Sequence, residues 1–255
     1  MPVVVDESNK IIWVVPPKNG CSTVRLSIGK CFFKDIEFKS SNYIYDEKFQ
    51  NLAKKYSNNH QSSEMRVIFV YRNLIKKFDS FLRSILYRRI CGRRPTPERL
   101  EKDKKWKMYL SLFEKEENQQ LSNETNLETI FSFQEKIKTK YKYKYPGGID
   151  HHGFSQIHYL NNFLKEWKFI NEEKIEYISI DNIKPLMNNL YSSDLLSNSS
   201  NNSLPKEKNS KKLNEIKLKD IFLYDLSENK HYIDAVHNLY NDDVNFFSSK
   251  NINFD

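Results

Sequence analysis

The stretch IIWVVPPKNGCSTVR, residues 11–25, reads as a strand, a tight loop and a helix start in that order. Its first five residues, Ile11 to Val15, are all β-branched or aromatic, which is typical of a strand covered on both faces in a parallel sheet. Two prolines close this run, and Ser22 or Thr23 is suited to cap a helix over residues 22–33. The stretch therefore predicts one strand–loop–helix unit of an α/β protein.

The same alternation continues along the chain. RVIFVYR, residues 66–72, predicts a second buried strand, followed by a helix from about residue 74 to residue 89. IEYISI, residues 175–180, predicts a third strand, and residues 230–247 carry an apolar face at helical spacing. Strands that alternate with helices predict an α/β sandwich with a largely parallel central sheet flanked by helices.

The length of 255 residues suits one large domain, so we predict a single domain over residues 1–255. Residues 195–215 are polar and low in complexity, which predicts a flexible insertion inside that domain.

Cysteine content and hydropathy predict the cellular location of the protein. The three cysteines form no CxxC pair, which disfavours a disulfide framework and a zinc site. The sequence shows no apolar run of the ~18 residues that cross a bilayer. These features predict a soluble protein of the cytoplasm with no transmembrane segment.

The charge balance favours an anionic partner. Lysine and arginine number 41 against 33 aspartates and glutamates, which gives a formal net charge of +8. A nucleic acid, an acidic sugar and a nucleotide all satisfy this sign.

The loop after the first strand has the residues of an anion site. Free N–H groups and the helix dipole favour a phosphate at a helix start. Gly20 allows the phosphate to approach the backbone, Lys18 supplies a charge, and Ser22 and Thr23 supply hydroxyls. The spacing is not that of a Walker loop. A plain turn with a capping serine is the alternative interpretation.

The end of the second strand offers another pair of phosphate ligands. Arg72 ends the strand, and Ser80 lies eight residues further on, about two helical turns along the next helix. We expect these two side chains to converge on one further phosphate.

These two loops together resemble the cofactor motifs of the sulfotransferases. PKNGCSTVR is similar to their 5′-phosphosulfate loop, and the stretch from Arg72 to Ser80 is similar to their R-[DE]-P-x-x-R-x-x-S element. Asn73, Leu74 and Lys77 replace the usual acid, proline and second arginine.

Two later stretches resemble the carbohydrate branch known as sulfotransferase family 2. DHHGFSQ is similar to its D-x-H-x-x-x-Q element, and LYNDDVNFF is similar to its closing Y-x-x-D-x-x-x-F helix. The matching residues are Asp150, His152, Gln156, Tyr240, Asp243 and Phe247. The four motifs occur in the order of the family and cover residues 11–247.

The resemblance implies a P-loop-like sulfotransferase fold. It also implies transfer of a sulfuryl group from 3′-phosphoadenosine-5′-phosphosulfate (PAPS) to a hydroxyl, with a carbohydrate as the expected acceptor. PAPS is the only cofactor implied, with no metal. The implied donor-binding residues are Lys18, Asn19, Gly20, Cys21, Ser22, Thr23, Arg72 and Ser80.

A histidine is the expected base for the acceptor hydroxyl, because its pKa suits proton transfer near neutral pH. His152 is the first candidate, since it lies inside the third motif. His60 is the second, because it precedes the second strand, where some relatives place their base. Alternatively, His152 and Gln156 only brace the sheet.

Two other function classes compete with sulfotransfer. A basic protein that binds nucleic acid or another polyanion without catalysis agrees with the net charge. A kinase that uses a nucleoside triphosphate is disfavoured by the absent Walker spacing. Neither class needs a 3′-phosphate site, so the pair Arg72 and Ser80 favours the sulfotransferase, and no nucleic-acid partner is expected.

Overall fold

The computed structural model describes residues 3–17, 19, 24, 47–81, 153–191 and 230–254. In this part of the chain the fold is a mixed α/β arrangement with a four-stranded sheet flanked by helices. The insertion predicted at 195–215 lies outside the described residues.

The sheet has the strand order β1-β2-β3-β4. Its strands are β1 (Val3–Asp6), β2 (Ile11–Val14), β3 (Arg66–Tyr71) and β4 (Ile175–Ser179). The last three are parallel to one another, as predicted, and each ends within one residue of the predicted boundary.

A fourth strand was not predicted. β1 runs antiparallel to β2 and pairs Val3 with Val14 and Asp6 with Ile11. The Asp6 carboxylate is buried and accepts hydrogen bonds from the Asn9 main chain (3.0 Å), the Asn9 side chain (2.8 Å) and the Tyr191 hydroxyl (2.6 Å). These bonds close the turn, in which Lys10 takes a φ of 52°.

Helices in the described residues connect or follow the strands. They are α1 (Glu47–Ser57), α2 (described over 74–81), α3 (Gln156–Glu166), α4 (Ile183–Leu190), α5 (Lys230–Leu239) and α6 (Asn241–Ser249). The predicted closing helix is thus two helices divided at Tyr240. Asp242 and Asp243 lie in the first turn of α6, where negative charge favours a helix start.

The apolar core covers one face of the sheet. Trp13 of β2 and Ile68 and Val70 of β3 pack there with Phe49 of α1 and Met187 of α4. The residues of β2 between these core positions are buried as well, so β2 is covered on both faces. This burial explains why its sequence is a continuous apolar run rather than an alternating one. Val24, the one described residue of the helix predicted at 22–33, is helical and belongs to the same core.

The chain divides into two compact units. The sheet unit consists of Met1–Asn73, Gln156–Lys211 and Phe247–Phe254, and the helical unit of Leu74–Ser155 and Lys212–Phe246. Among the described elements, the sheet unit holds all four strands with α1, α3 and α4, and the helical unit holds α2 and α5. The single domain over 1–255 stays a prediction.

A search of the described residues for helices able to cross a membrane gives no candidate of sufficient length and apolarity.

Candidate functional site

The candidate site lies at the carboxyl edge of the parallel strands. Because β2 and β3 run in the same direction, the residues that follow them emerge at one edge of the sheet. Asn19 lies in the loop after β2, and Arg72 directly follows β3. This edge is where open α/β sheets bind their ligands.

Asn19 is fixed inside the loop that the sequence assigns to the phosphosulfate. Its side chain is 0 % exposed, and its main-chain N–H donates to the Pro16 carbonyl at 3.1 Å, which closes a turn. Its Nδ2 donates to the Val70 carbonyl of β3 at 2.9 Å. The loop after β2 is therefore attached to the neighbouring strand through one side chain.

Gln156, the first residue of α3, joins this loop to Arg72. Its Oε1 accepts from the Arg72 main-chain N–H at 2.8 Å, and its Nε2 donates to the Arg72 carbonyl at 2.9 Å. The same Oε1 accepts from Asn19 Nδ2 at 2.5 Å. We call the three residues Asn19, Arg72 and Gln156 the amide brace. It joins three of the predicted motifs through hydrogen bonds between residues that lie 84 and 137 positions apart in sequence.

One acceptor atom of the amide brace has no hydrogen-bond donor among the described residues. The Oδ1 atom of Asn19 is buried and has no hydrogen-bond partner, while its Nδ2 atom is engaged twice. A buried acceptor without a donor costs about 1–3 kcal/mol.

Negative charge is also present near this edge. Asp181 follows β4, and Tyr71 is the last residue of β3, next to Arg72. Burial, followed by the Asp181 charge, raises the pKa of Tyr71, so the phenol stays protonated near neutral pH. The Tyr71 ring packs against Phe247 of α6 at 5.3 Å between centroids, so the last residue of the fourth motif lies at the same edge.

The helix that carries Gln156 also buries a histidine. His158 is 6 % exposed, and its Nε2 lies 2.9 Å from Asn162 Nδ2. Burial, together with the Lys165 charge, lowers the pKa of His158 from 6.5 to about 4. His158 is therefore a neutral packing residue and not a candidate base.

We predict that protonation of His158 destabilises the fold at acidic pH. Below pH 6.5 the unfolded chain binds a proton that the folded chain does not bind until about pH 4. The contribution to the free energy of unfolding therefore falls between these values, by roughly 1–2 kcal/mol. Urea unfolding at pH 7 and pH 4.5 measures the difference. His158→Gln, which cannot titrate, should reduce the pH dependence, and an unchanged dependence would contradict the assignment.

The helical unit contains a buried lysine instead of the second arginine of the family motif. Lys77 of α2 is 0 % exposed, and its Nζ donates to the Phe154 carbonyl at 2.6 Å. The ammonium lies 4.6 Å from the centre of the Tyr240 ring and 3.5 Å from the Tyr240 hydroxyl. Tyr240 itself donates to the Gly153 carbonyl at 2.9 Å.

These contacts hold the main chain that directly follows His152 in sequence. Burial, followed by the Asp243 charge, raises the pKa of Tyr240, so its hydroxyl remains a donor. Asp243 is itself 0 % exposed. We call Lys77 and Tyr240 the lysine–tyrosine clamp. Side chains from the second and fourth motifs thus meet at the main chain of the third.

The structure does not bring His60 to this edge. His60 begins the short helix His60–Glu64 that leads into the amino end of β3, whereas Arg72 follows its carboxyl end. The six residues of β3 span roughly 17 Å between these ends. The exposed His60 ring packs against Phe169 at 5.4 Å instead. This placement argues against His60 as the base.

The remaining predicted site residues divide into two groups. Ser80 is half-buried on α2, in the helical unit, while Arg72 belongs to the sheet unit, so their convergence stays a prediction. The others lie outside the described residues: Lys18, Gly20, Cys21, Ser22, Thr23 and His152. In the described part of the chain, no three His, Cys, Asp or Glu side chains are grouped so that they could hold a metal ion.

Comparisons with protein-family models, with curated proteins and with solved structures give no match to this chain.

Proposed function

We propose that this chain is a sulfotransferase that moves a sulfuryl group from PAPS to a hydroxyl, with a carbohydrate as the acceptor class, on a P-loop-like sulfotransferase fold. The observation that carries the proposal is the amide brace, in which Gln156 binds Asn19 and the main chain of Arg72. These residues belong to three separate motifs of the resemblance, and two of those motifs are assigned to the donor. Motifs that form one site must lie close together in the folded chain. Motifs that match by chance need not contact one another.

The chemistry of the carboxyl edge suits a donor with two anionic ends. The loop around Asn19 follows β2, and Arg72 follows the adjacent parallel strand, so two phosphate-binding elements lie side by side. Arginine binds phosphate through two parallel N–H bonds, which a lysine cannot reproduce. A 3′-phosphate on the adenosine distinguishes PAPS from ATP, and Arg72 with Ser80 is the pair assigned to it.

The reaction is an in-line displacement at sulfur. The acceptor oxygen forms a bond to sulfur while the bond from sulfur to the 5′-phosphate oxygen breaks, and the acceptor proton passes to a base. The products are a sulfate ester and 3′,5′-adenosine bisphosphate. The family resemblance assigns the charge on the leaving phosphate to Lys18 and the proton to His152, in analogy with phosphoryl transfer.

The lysine–tyrosine clamp supports the assignment of the acceptor proton to His152. Gly153 and Phe154 follow His152 directly, and their carbonyls are held by Tyr240 and Lys77. A base is effective only when its position relative to the acceptor is fixed. The anchoring of the Gly153 and Phe154 carbonyls supports the assignment of the base to the residue that precedes them.

Calorimetric titration of the full chain tests the proposal. We expect 3′,5′-adenosine bisphosphate to bind at least tenfold more tightly than 5′-adenosine monophosphate or ATP, because only the bisphosphate engages Arg72 and Ser80. Single-stranded DNA of matched charge serves as the polyanion control. Equal affinity for all four ligands, or tight binding of the DNA alone, would contradict the proposal and favour a polyanion-binding protein.

A further inference from the structure

We infer that Gln156 is a positioning residue that couples the two phosphate-binding elements, so that the 3′-phosphate and the 5′-phosphate of the donor are recognised as a pair. This inference rests on the proposed function. It concerns a residue that touches the two elements rather than the donor. Gln156 is 0 % exposed, which leaves its amide engaged with protein groups.

The orientation of the Gln156 amide is determined by its partners. Its Oε1 accepts from two N–H donors, the Arg72 main chain and Asn19 Nδ2, while its Nε2 donates to the Arg72 carbonyl. If the Gln156 amide were reversed, its NH₂ group would face the N–H donors of Arg72 and Asn19, and its oxygen would face the Arg72 carbonyl. The brace thus has one arrangement, and neither Asn19 nor the Arg72 main chain can shift without breaking a hydrogen bond to Gln156.

Both the N–H and the carbonyl of Arg72 are held by this one side chain. The backbone at the carboxyl end of β3 is thereby fixed at the point where the Arg72 side chain begins. Because Asn19 also donates to Val70 of β3, the phosphosulfate loop is tied to the same strand. The position of Asn19 relative to the Arg72 main chain is therefore set before a ligand binds.

A preset distance matters for a ligand with two phosphates and not for a ligand with one. When the first phosphate is bound, the second meets its site at a high effective concentration, provided that the spacing is correct. If the spacing varies, part of the binding free energy is used to order the protein. Loss of Gln156 should therefore reduce the advantage of the bisphosphate over the monophosphate.

The test compares Gln156→Met with the matched exposed variant Gln61→Met. For each protein, calorimetry gives the dissociation constants of 3′,5′-adenosine bisphosphate and 5′-adenosine monophosphate. We expect the ratio of these constants to fall about tenfold in Gln156→Met and to stay at its wild-type value in Gln61→Met. Gln156→Glu keeps the size of the side chain but lacks the donor to the Arg72 carbonyl, so it should not restore the ratio.

Hydrogen–deuterium exchange provides a readout that needs no ligand. The Arg72 amide should exchange faster in Gln156→Met than in wild type, and Gln61→Met should leave it unchanged. If exchange rises but both ligands weaken by the same factor, Gln156 is only structural and the inference is overturned, while the proposed function stands. If wild type itself does not prefer the bisphosphate, the proposed function fails, and this inference fails with it.

Discussion

Replacing Arg72 with alanine is expected to weaken binding of 3′,5′-adenosine bisphosphate by about tenfold to more than a hundredfold, with little change for 5′-adenosine monophosphate. A hydrogen bond between a guanidinium and a phosphate is worth about 1.5–3 kcal/mol. Gln156 binds the N–H and the carbonyl of Arg72, and neither group belongs to the side chain. Alanine therefore removes the proposed contact to the 3′-phosphate and keeps both hydrogen bonds to Gln156.

Two variants control for charge and geometry. Lys174→Ala removes one positive charge from an exposed residue that precedes the amino end of β4, and it should leave both affinities unchanged. Arg72→Lys keeps the charge but not the planar pair of donors, so its affinity should lie between those of wild type and Arg72→Ala. Calorimetry measures all four proteins. If Arg72→Ala keeps the wild-type ratio between bisphosphate and monophosphate, the 3′-phosphate site lies elsewhere.

Replacing Lys77 with methionine is expected to lower the free energy of unfolding by about 1.5–3 kcal/mol. Methionine fills the space of the lysine stem but gives no donor to the Phe154 carbonyl and no cation to the Tyr240 ring. Removing a buried charge also removes its desolvation cost, which acts in the opposite direction. We expect the first effect to dominate, because the ammonium makes a 2.6 Å hydrogen bond and lies over an aromatic ring.

The adjacent exposed residue provides the matched control. Lys76→Met makes the same change one position earlier on α2 and should alter stability by no more than about 0.5 kcal/mol. Urea unfolding followed by circular dichroism gives both values. Tyr240→Phe removes the hydrogen bond to Gly153 and the long contact with Lys77 but keeps the aromatic ring under the ammonium, so it should produce a smaller loss than Lys77→Met. Unchanged or greater stability in Lys77→Met would show that the ammonium is not stabilising in this site.

Two of the three strands that the sequence predicts, β2 and β3, are buried along almost their whole length, whereas β4 is buried only at Ile175. β2 and β3 are covered on both faces, so their sequences are continuous apolar runs that cannot be confused with loops. β1 was missed because it is only four residues long and ends in an aspartate, a residue that is rare in strands. Asp6 is tolerated there because its carboxylate is satisfied by Asn9 and Tyr191.

The sequence allows the residues of the candidate site to be predicted, but not the contacts between them. Arg72 is recognisable because an arginine ends a buried strand, and Gln156 because it completes a motif that also allows a bracing role. That Gln156 binds the main chain of Arg72 depends on α3 and β3, whose contact joins residues 84 positions apart. Lys77 shows the same limit: the sequence shows that it replaces the second arginine of the resembled motif, but not that it is buried against Phe154 and Tyr240.

The hairpin of β1 and β2 has a consequence for the behaviour of the protein at high concentration. The residues Ile11 to Val15 form an uncharged segment of high β-propensity, the composition that favours pairing with strands of other chains. β1 occupies the side of β2 opposite to β3, so the hydrogen-bonding groups of this segment are paired on both sides. In the described part of the chain β1 is the outer strand of this sheet, and its length of four residues limits further strand addition. By pairing with β2, the four residues of β1 protect this segment from intermolecular strand pairing. Variants truncated at the amino-terminal end should therefore retain β1.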